Sequence, residues 1–176
     1  LATVAAHARA AADAAGEFQV GVALDATEQS GSADATVRIH ASRETIWGLI
    51  TSCAETLHMV PGLEQCEVLE TAPDHSWQTI RQVLNYSWYF PKLTYVLRAT
   101  YDKPARVTVE RFAGDLKTLR VSWTLQPDGD YTLAQYKIDL APGFWVPRWV
   151  VRVALRHDLP KMLGALRARA QAIAHP

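Results

Sequence analysis

The C-terminal stretch from Pro142 to Ala172, PGFWVPRWVVRVALRHDLPKMLGALRARAQA, constrains the fold of this chain more than any other segment. Val151, Leu155, Leu159, Met162, Leu163, Leu166, Ala170 and Ile173 recur at helical spacing, which predicts one long closing helix with a packing face. Pro147 suits its first turn, where a missing N–H has no partner to lose. Arg167 and Arg169 suit its closing turns, where positive charge meets the negative end of the helix dipole. Two features depart from a plain surface helix. Between Val146 and Leu155 the segment is apolar nearly all round, with Trp149, Val150 and Val153 off the face of Val151 and Leu155. Pro160 also falls inside the helix, where it costs a backbone hydrogen bond and about 3 kcal/mol or more, so a kink is expected near Arg156–Asp158. Two readings fit. The helix is deeply buried at one end, or one face packs on a sheet while the other borders a cavity or membrane.

The rest of the chain supplies the sheet. Glu17–Thr27 places Phe18, Val20, Val22 and Leu24 on one parity, and Ala33–Ala41 does the same with Ala35, Val37, Ile39 and Ala41. The turn residues Gln29-Ser30-Gly31-Ser32 between them complete a hairpin. Ser42 is a good N-cap for a short helix over Arg43–Thr51, where Ile46, Trp47 and Ile50 share a face. Cys53–Met59 reads as a second short helix, stopped before Pro61-Gly62. Strands follow over Leu63–Thr71, Ser76–Tyr89, Leu93–Tyr101, Arg106–Phe112, Lys117–Gln126 and Tyr131–Leu140, separated by turns such as Pro127-Asp128-Gly129-Asp130. The class is α+β: one antiparallel sheet, two short helices and a long helix. Such a sheet must bury one face, and the closing helix is the element large enough to cover it. A highly curved sheet around one helix leaves space that side chains do not fill. Concave, mostly apolar spaces with a few polar groups are where ligands bind.

Composition narrows the partners. The chain has 176 residues, 49% hydrophobic and 20% charged, which suits a single globular domain, here expected over residues 17–176. Residues 1–16 are alanine-rich and are expected to be loosely attached or a short helix. The 18 basic residues balance the 18 acidic ones, which argues against nucleic acid as the main partner. No apolar run reaches the roughly 18 residues that span a bilayer. Cys53 and Cys66 fit either a disulfide in an oxidising compartment, which would contribute about 3 kcal/mol, or two buried free thiols. With His58 they match no common zinc spacing. The alanine-rich start, the absence of an initiator Met and the paired cysteines lean towards a periplasmic or secreted location, with a cytoplasmic one as the alternative.

Several segments resemble the START-like, helix-grip superfamily, also called SRPBCC, which includes START lipid-transfer domains and polyketide cyclase-like and coenzyme Q-binding proteins. VRIHASRETIWGLIT at 37–51 is similar to the family's strand and first helix, and MVPGLEQCEVLE at 59–70 to its proline-then-strand element. Phe112-Ala113-Gly114-Asp115 with Ser122-Trp123-Thr124-Leu125 resembles its glycine-acid turn and the strand after it. PGFWVPRWVVRVALRHDLPKML at 142–163 resembles its closing helix. Ser52-Cys53-Ala54 departs from the acidic-aromatic pair of many members. The resemblance covers about residues 17–174 and implies a helix-grip fold with a cavity for a hydrophobic ligand. It does not imply one chemistry.

The residues contain no HExxH, nucleophile elbow, P-loop or GxGxxG, so no catalytic residue, metal or cofactor is assigned. His157 and Asp158, adjacent on the expected helix, read as a solvated or kink-side pair. The apolar parities carry the candidate ligand contacts: Ile80, Leu84, Tyr86, Trp88, Tyr95, Leu97, Trp123 and Tyr136 on strands, with Val150, Val151, Leu155 and Met162 on the helix. Tyr and Trp can line an apolar site and still offer one hydrogen bond. Phe90 at a hairpin tip and Phe144 with Trp145 before the helix are candidates for the cavity mouth and for transient membrane contact. The expected function is non-catalytic binding, and transport, of a hydrophobic small molecule: a lipid, sterol-like molecule, quinone or polyketide. The alternative is an aromatase/cyclase- or dehydratase-like enzyme using the same cavity, for which Arg111 is the best inward cation.

Overall fold

The computed structural model describes residues 18–86 and 91–175. The alanine-rich segment expected over residues 1–16 lies outside them, as do Trp88 and Phe90. Eight strands form: β1 (Phe18–Leu24), β2 (Gly31–Ile39), β3 (Leu63–Thr71), β4 (Trp77–Leu84), β5 (Leu93–Asp102), β6 (Arg106–Gly114), β7 (Leu116–Asp128) and β8 (Tyr131–Pro142). They make one antiparallel sheet in the order β1-β2-β8-β7-β6-β5-β4-β3. Two short helices, α1 (Arg43–Ile50) and α2 (Cys53–Met59), join β2 to β3. Their N-caps are serines: Ser42 Oγ accepts from Thr45 N–H at 3.1 Å and Ser52 Oγ from Glu55 N–H at 3.4 Å.

Strand ends follow their partners. β4 stops at Leu84, short of the expected Tyr89, because Leu84 is the last residue paired on both sides, with Leu63 and with Leu93. β7 and β8 run longer than alternation predicts, since they pair with one another from Leu116–Pro142 to Asp128–Tyr131.

The closing helix differs more. It starts at Arg148, with Pro147 as its extended N-cap residue rather than within its first turn. The residues before it have backbone partners elsewhere. Gly143 N–H donates to Asp115 O at 2.7 Å, and Gln29 Nε2 donates to Val146 O at 2.8 Å. The helix then has three parts: α3 (Arg148–Val153), a π-helical turn (Ala154–Asp158) and α4 (Leu159–Ala174). The break falls where the Pro160 kink was expected. Leu159 N–H reaches back five residues to Ala154 O, the wider turn that accommodates a residue out of α-helical phase. The packing stripe ends at Ala170; Ile173, expected on it, is 53% exposed. Arg169 pairs with Glu55 on α2 rather than with the helix end. None of the described helices is long and apolar enough to cross a membrane.

Two glycines permit close approach. A Cβ on Gly31 would lie 2.6 Å from Leu155 Cδ1 and 2.9 Å from Ala23 O, so the missing side chain leaves room for Leu155 of the π-turn to pack on β2. Gly114 has φ +96°, and a Cβ there would lie 2.4 Å from Thr94 O. Gly114→Ala is therefore expected to destabilise the fold by about 2 kcal/mol or more, read as a lower urea midpoint at unchanged slope.

The core is divided. One cluster joins β2, β7 and β8 to α1 and the closing helix, with Ile39, Ile46, Leu125, Leu155, Leu163 and Leu166 at its centre. A second gathers Leu63, Ile80, Leu84, Leu93, Tyr95 and Leu97 at the β3–β5 end of the sheet. Tyr86, Tyr101, Val109, Val121 and Ile138 touch both. α4 packs on α1, α2 and β2. The helix therefore covers one end of the sheet's apolar face, and the other end is left to be covered otherwise.

Candidate functional site

What occupies that remaining space is a cavity of about 240 Å³. Its floor is the inner face of β4 to β8, where alternate residues point the same way. Its roof is α3, the π-turn and the start of α4. Its rim is the end of α1, the α2 helix and the turn to Pro61. Of the twelve residues proposed from sequence as ligand contacts, eleven line it: Ile80, Leu84, Tyr86, Tyr95, Leu97, Trp123, Tyr136, Val150, Val151, Leu155 and Met162. Trp88 lies outside the described residues. Parity accounts for the strand members. The all-round apolar start of the closing helix accounts for Val150 and Val151, which are both buried though adjacent.

Phe144 and Trp145 do not line this cavity. They are 40% and 75% exposed and line a separate shallow groove with the β1–β2 turn and Lys117. That groove shares Leu140 and Pro142 with the cavity. Phe90, the third mouth candidate, lies outside the described residues. Arg111 is not an inward cation. It pairs with Leu97 on the sheet, but its guanidinium turns to the carbonyls of Gly114 and Leu116 and stays exposed. The β5–β6 bulge beside it takes the strand end out of regular alternation.

Cys53 and Cys66 form a disulfide that ties α2 to β3, and both line the cavity. The reading as two free thiols is thereby corrected. Their Cα atoms lie 5.3 Å apart, a separation that sequence cannot supply because it depends on how α2 folds back on β3.

Alternation also explains three cavity residues not proposed from the sequence. Gln82 shares the parity of Ile80 and Leu84; Val109 and Val121 share that of their neighbours. Asp158 was read as solvated or kink-side, yet it lines the cavity with its side chain only 15% exposed. It follows Leu155 by three residues and precedes Met162 by four, a helical spacing that could have placed it. Its Oδ1 meets His157 Nδ1 at 2.9 Å, a contact between neighbours that a regular helix would not favour.

Most polar groups of the wall are satisfied by the protein itself. Thr51 Oγ1 donates to Trp47 O and Thr56 Oγ1 to Ser52 O, each at 2.7 Å. Tyr101 OH donates to Gln78 Oε1 at 2.8 Å. Burial pushes the Tyr101 hydroxyl up to about 12 and those of Tyr95 and Tyr136 higher still. Tyr86 is raised by burial and by the Asp158 carboxylate. All four remain protonated hydrogen-bond donors across the working range of a protein. Among the described residues no group of three or more His, Cys, Asp or Glu side chains could hold a metal ion.

The sequence profile of the polyketide cyclase / dehydrase and lipid transport family matches residues 39–167, spanning the first helix to the closing one. The chain belongs to this family. Solved structures of START-like proteins share its fold. A START superfamily protein from Mycobacterium smegmatis is 19% identical over 81% of this chain and 98% of its own, with a TM-score of 0.68. A STAR-related lipid transfer protein from Xanthomonas axonopodis is 20% identical over 88% and 94%, at 0.70. The Zhui aromatase/cyclase from Streptomyces sp. R1128 is 14% identical over 89% and 93%, at 0.60. No curated protein matches the sequence. Proteins described for lipid transfer and for aromatase/cyclase activity thus share this chain's fold.

Proposed function

We propose that this family member binds a hydrophobic small molecule in the cavity without transforming it, and carries it between membranes. The observation that carries the reading is the cavity wall. Leucine, isoleucine, valine and aromatic side chains dominate it, and displacing water from such a surface contributes about 25 cal/mol for each Å² of apolar area covered. A lipid, sterol-like molecule, quinone or polyketide has the apolar area to use it. Native mass spectrometry of protein purified from its source, followed by organic extraction, is expected to show a bound apolar species. Protein that neither carries nor takes up such a molecule would refute the reading.

A second reading, a cyclase- or dehydratase-like enzyme, is favoured by one observation: the Asp158 carboxylate and the Tyr86 hydroxyl face the same cavity. A carboxylate and a protonated phenol could steer a proton transfer. Arg111 no longer supports this reading. Incubation with a flexible polyketone and product analysis separates it from simple binding.

Membrane contact and compartment belong to the same proposal. Trp145 and Phe144 stand exposed beside Leu140 and Pro142 of the cavity wall, and amphipathic aromatics favour the lipid interface. Trp145→Ala is expected to weaken binding to phosphatidylcholine vesicles several-fold at unchanged thermal stability. The Cys53–Cys66 bond supports an oxidising compartment such as the periplasm.

A further inference from the structure

Among the described residues, the cavity wall carries a single acidic side chain. No lysine, arginine or histidine lines it among the described residues, and Asp158 supplies its one carboxylate. His157 holds Asp158 Oδ1 from the solvent side; Oδ2 has no hydrogen-bond partner among the described residues. Asp158 closes the π-turn and lines the cavity one turn after Leu155. Three tyrosines line the same cavity: Tyr86 just after β4, Tyr95 on β5 and Tyr136 on β8. Their hydroxyls make no hydrogen bond to any described residue. They are near enough for Tyr86 to sense Asp158, Tyr95 and Tyr136, and for Tyr136 to sense Tyr95. These groups are open to the cavity rather than sealed in the core, where Arg98 Nε is the one buried side-chain atom without a partner among the described residues; donors and an acceptor open to an otherwise apolar cavity mark where a ligand's polar end belongs.

The chemistry of that cluster selects the ligand. A hydroxyl offers one donor and two acceptor lone pairs. It can donate to a carboxylate oxygen and accept from a phenol, satisfying both kinds of group. A carboxylate offers acceptors alone. Buried in low dielectric beside a second carboxylate, with no cation in the wall, it would lose hydration and gain repulsion. We propose that Asp158 with Tyr86, Tyr95 and Tyr136 forms a head-group site that selects an uncharged, hydroxyl-bearing apolar molecule over the corresponding fatty carboxylate. This rests on the reading of the cavity as a ligand site and narrows its ligand from any hydrophobic molecule to a neutral alcohol.

Three probes with one tail test it: decanol, decanoate and decylamine, titrated calorimetrically into the intact protein near neutral pH below their micellar concentrations. Decanol is expected to bind at least about tenfold more tightly than decanoate, with decylamine also ahead of decanoate. Asp158→Asn is expected to close most of that gap by strengthening decanoate binding while weakening decylamine. A merely structural role for Asp158 would move all three affinities together, and that result overturns the assignment. Tyr95→Phe supplies a second variant should Asp158→Asn fail to fold; it is expected to weaken decanol several-fold. Decanoate binding as tightly as decanol to the wild-type protein overturns the head-group proposal and leaves the cavity reading standing. Failure of all three probes to bind overturns the cavity reading itself, and this proposal with it.

Discussion

Leu163→Ala is expected to lower stability by about 3 kcal/mol, a fall in Tm of about 10 °C for a chain of this size. Leu163 has no solvent exposure and sits at the centre of the cluster between α4, α1 and β2. It does not line the cavity, so its removal opens a void where the packing is continuous. Its neighbour Met162 is partly buried and does line the cavity. Met162→Ala removes atoms that already face empty space, and is expected to cost only about 1 kcal/mol while enlarging the room for ligand. Two adjacent substitutions on one helix thus separate packing from pocket. Equal losses, measured by thermal or urea unfolding of the ligand-free protein, would mean that the space under the π-turn behaves as solid core.

Breaking the disulfide is the second large effect expected. Cys53 and Cys66 are 13 residues apart, and closing a loop of that length restricts the unfolded chain by about 3 kcal/mol. The reduced protein, or the Cys53→Ser, Cys66→Ser double variant, is expected to melt about 10 °C lower. The effect reaches the site, because the closed loop contains α2 and the turn through Met59, Val60 and Pro61 that forms the cavity rim. Ligand release from the reduced protein is therefore expected to be faster, since the rim is then held to β3 by backbone pairing and α2 packing alone. The thermal half of the expectation is checked by unfolding with and without reductant, with mass spectrometry confirming the gain of two hydrogens. An unchanged Tm in fully reduced protein would show that α2 stays docked without the bond.

How far the site could be read from the sequence depended on periodicity. Period-two alternation selected the inward residues of β4, β5, β7 and β8, because a strand's parity in a one-sided sheet is settled locally. Tyr95, Leu97, Trp123 and Tyr136 followed from it. The helix-grip resemblance supplied the order of elements around them. Where local rules break, the reading stopped. Arg111 has inward parity, but a bulge and two nearby carbonyls draw it out of the cavity. Asp158 reads as a solvent residue because charge ordinarily belongs outside, although its spacing from Leu155 and Met162 matches the cavity face. Leu63–Thr71 was predicted to the residue, yet Cys66 within it gave no sign of its partner, since pairing cysteines requires two elements to be placed in space.

By itself the sequence determined the α+β class, the strand parities, the serine caps, and a closing helix that Pro160 had to interrupt. Each is a matter of neighbouring residues and backbone geometry. The tertiary structure alone decided that the helix covers one end of the sheet and leaves a cavity at the other. It also decided that Cys53 meets Cys66 across the rim, and that Asp158 shares one cavity with Tyr86, Tyr95 and Tyr136. Those juxtapositions join residues from 13 to 72 positions apart. Sheet curvature and the fold-back of α2 bring them together, and neither is encoded within a single local segment.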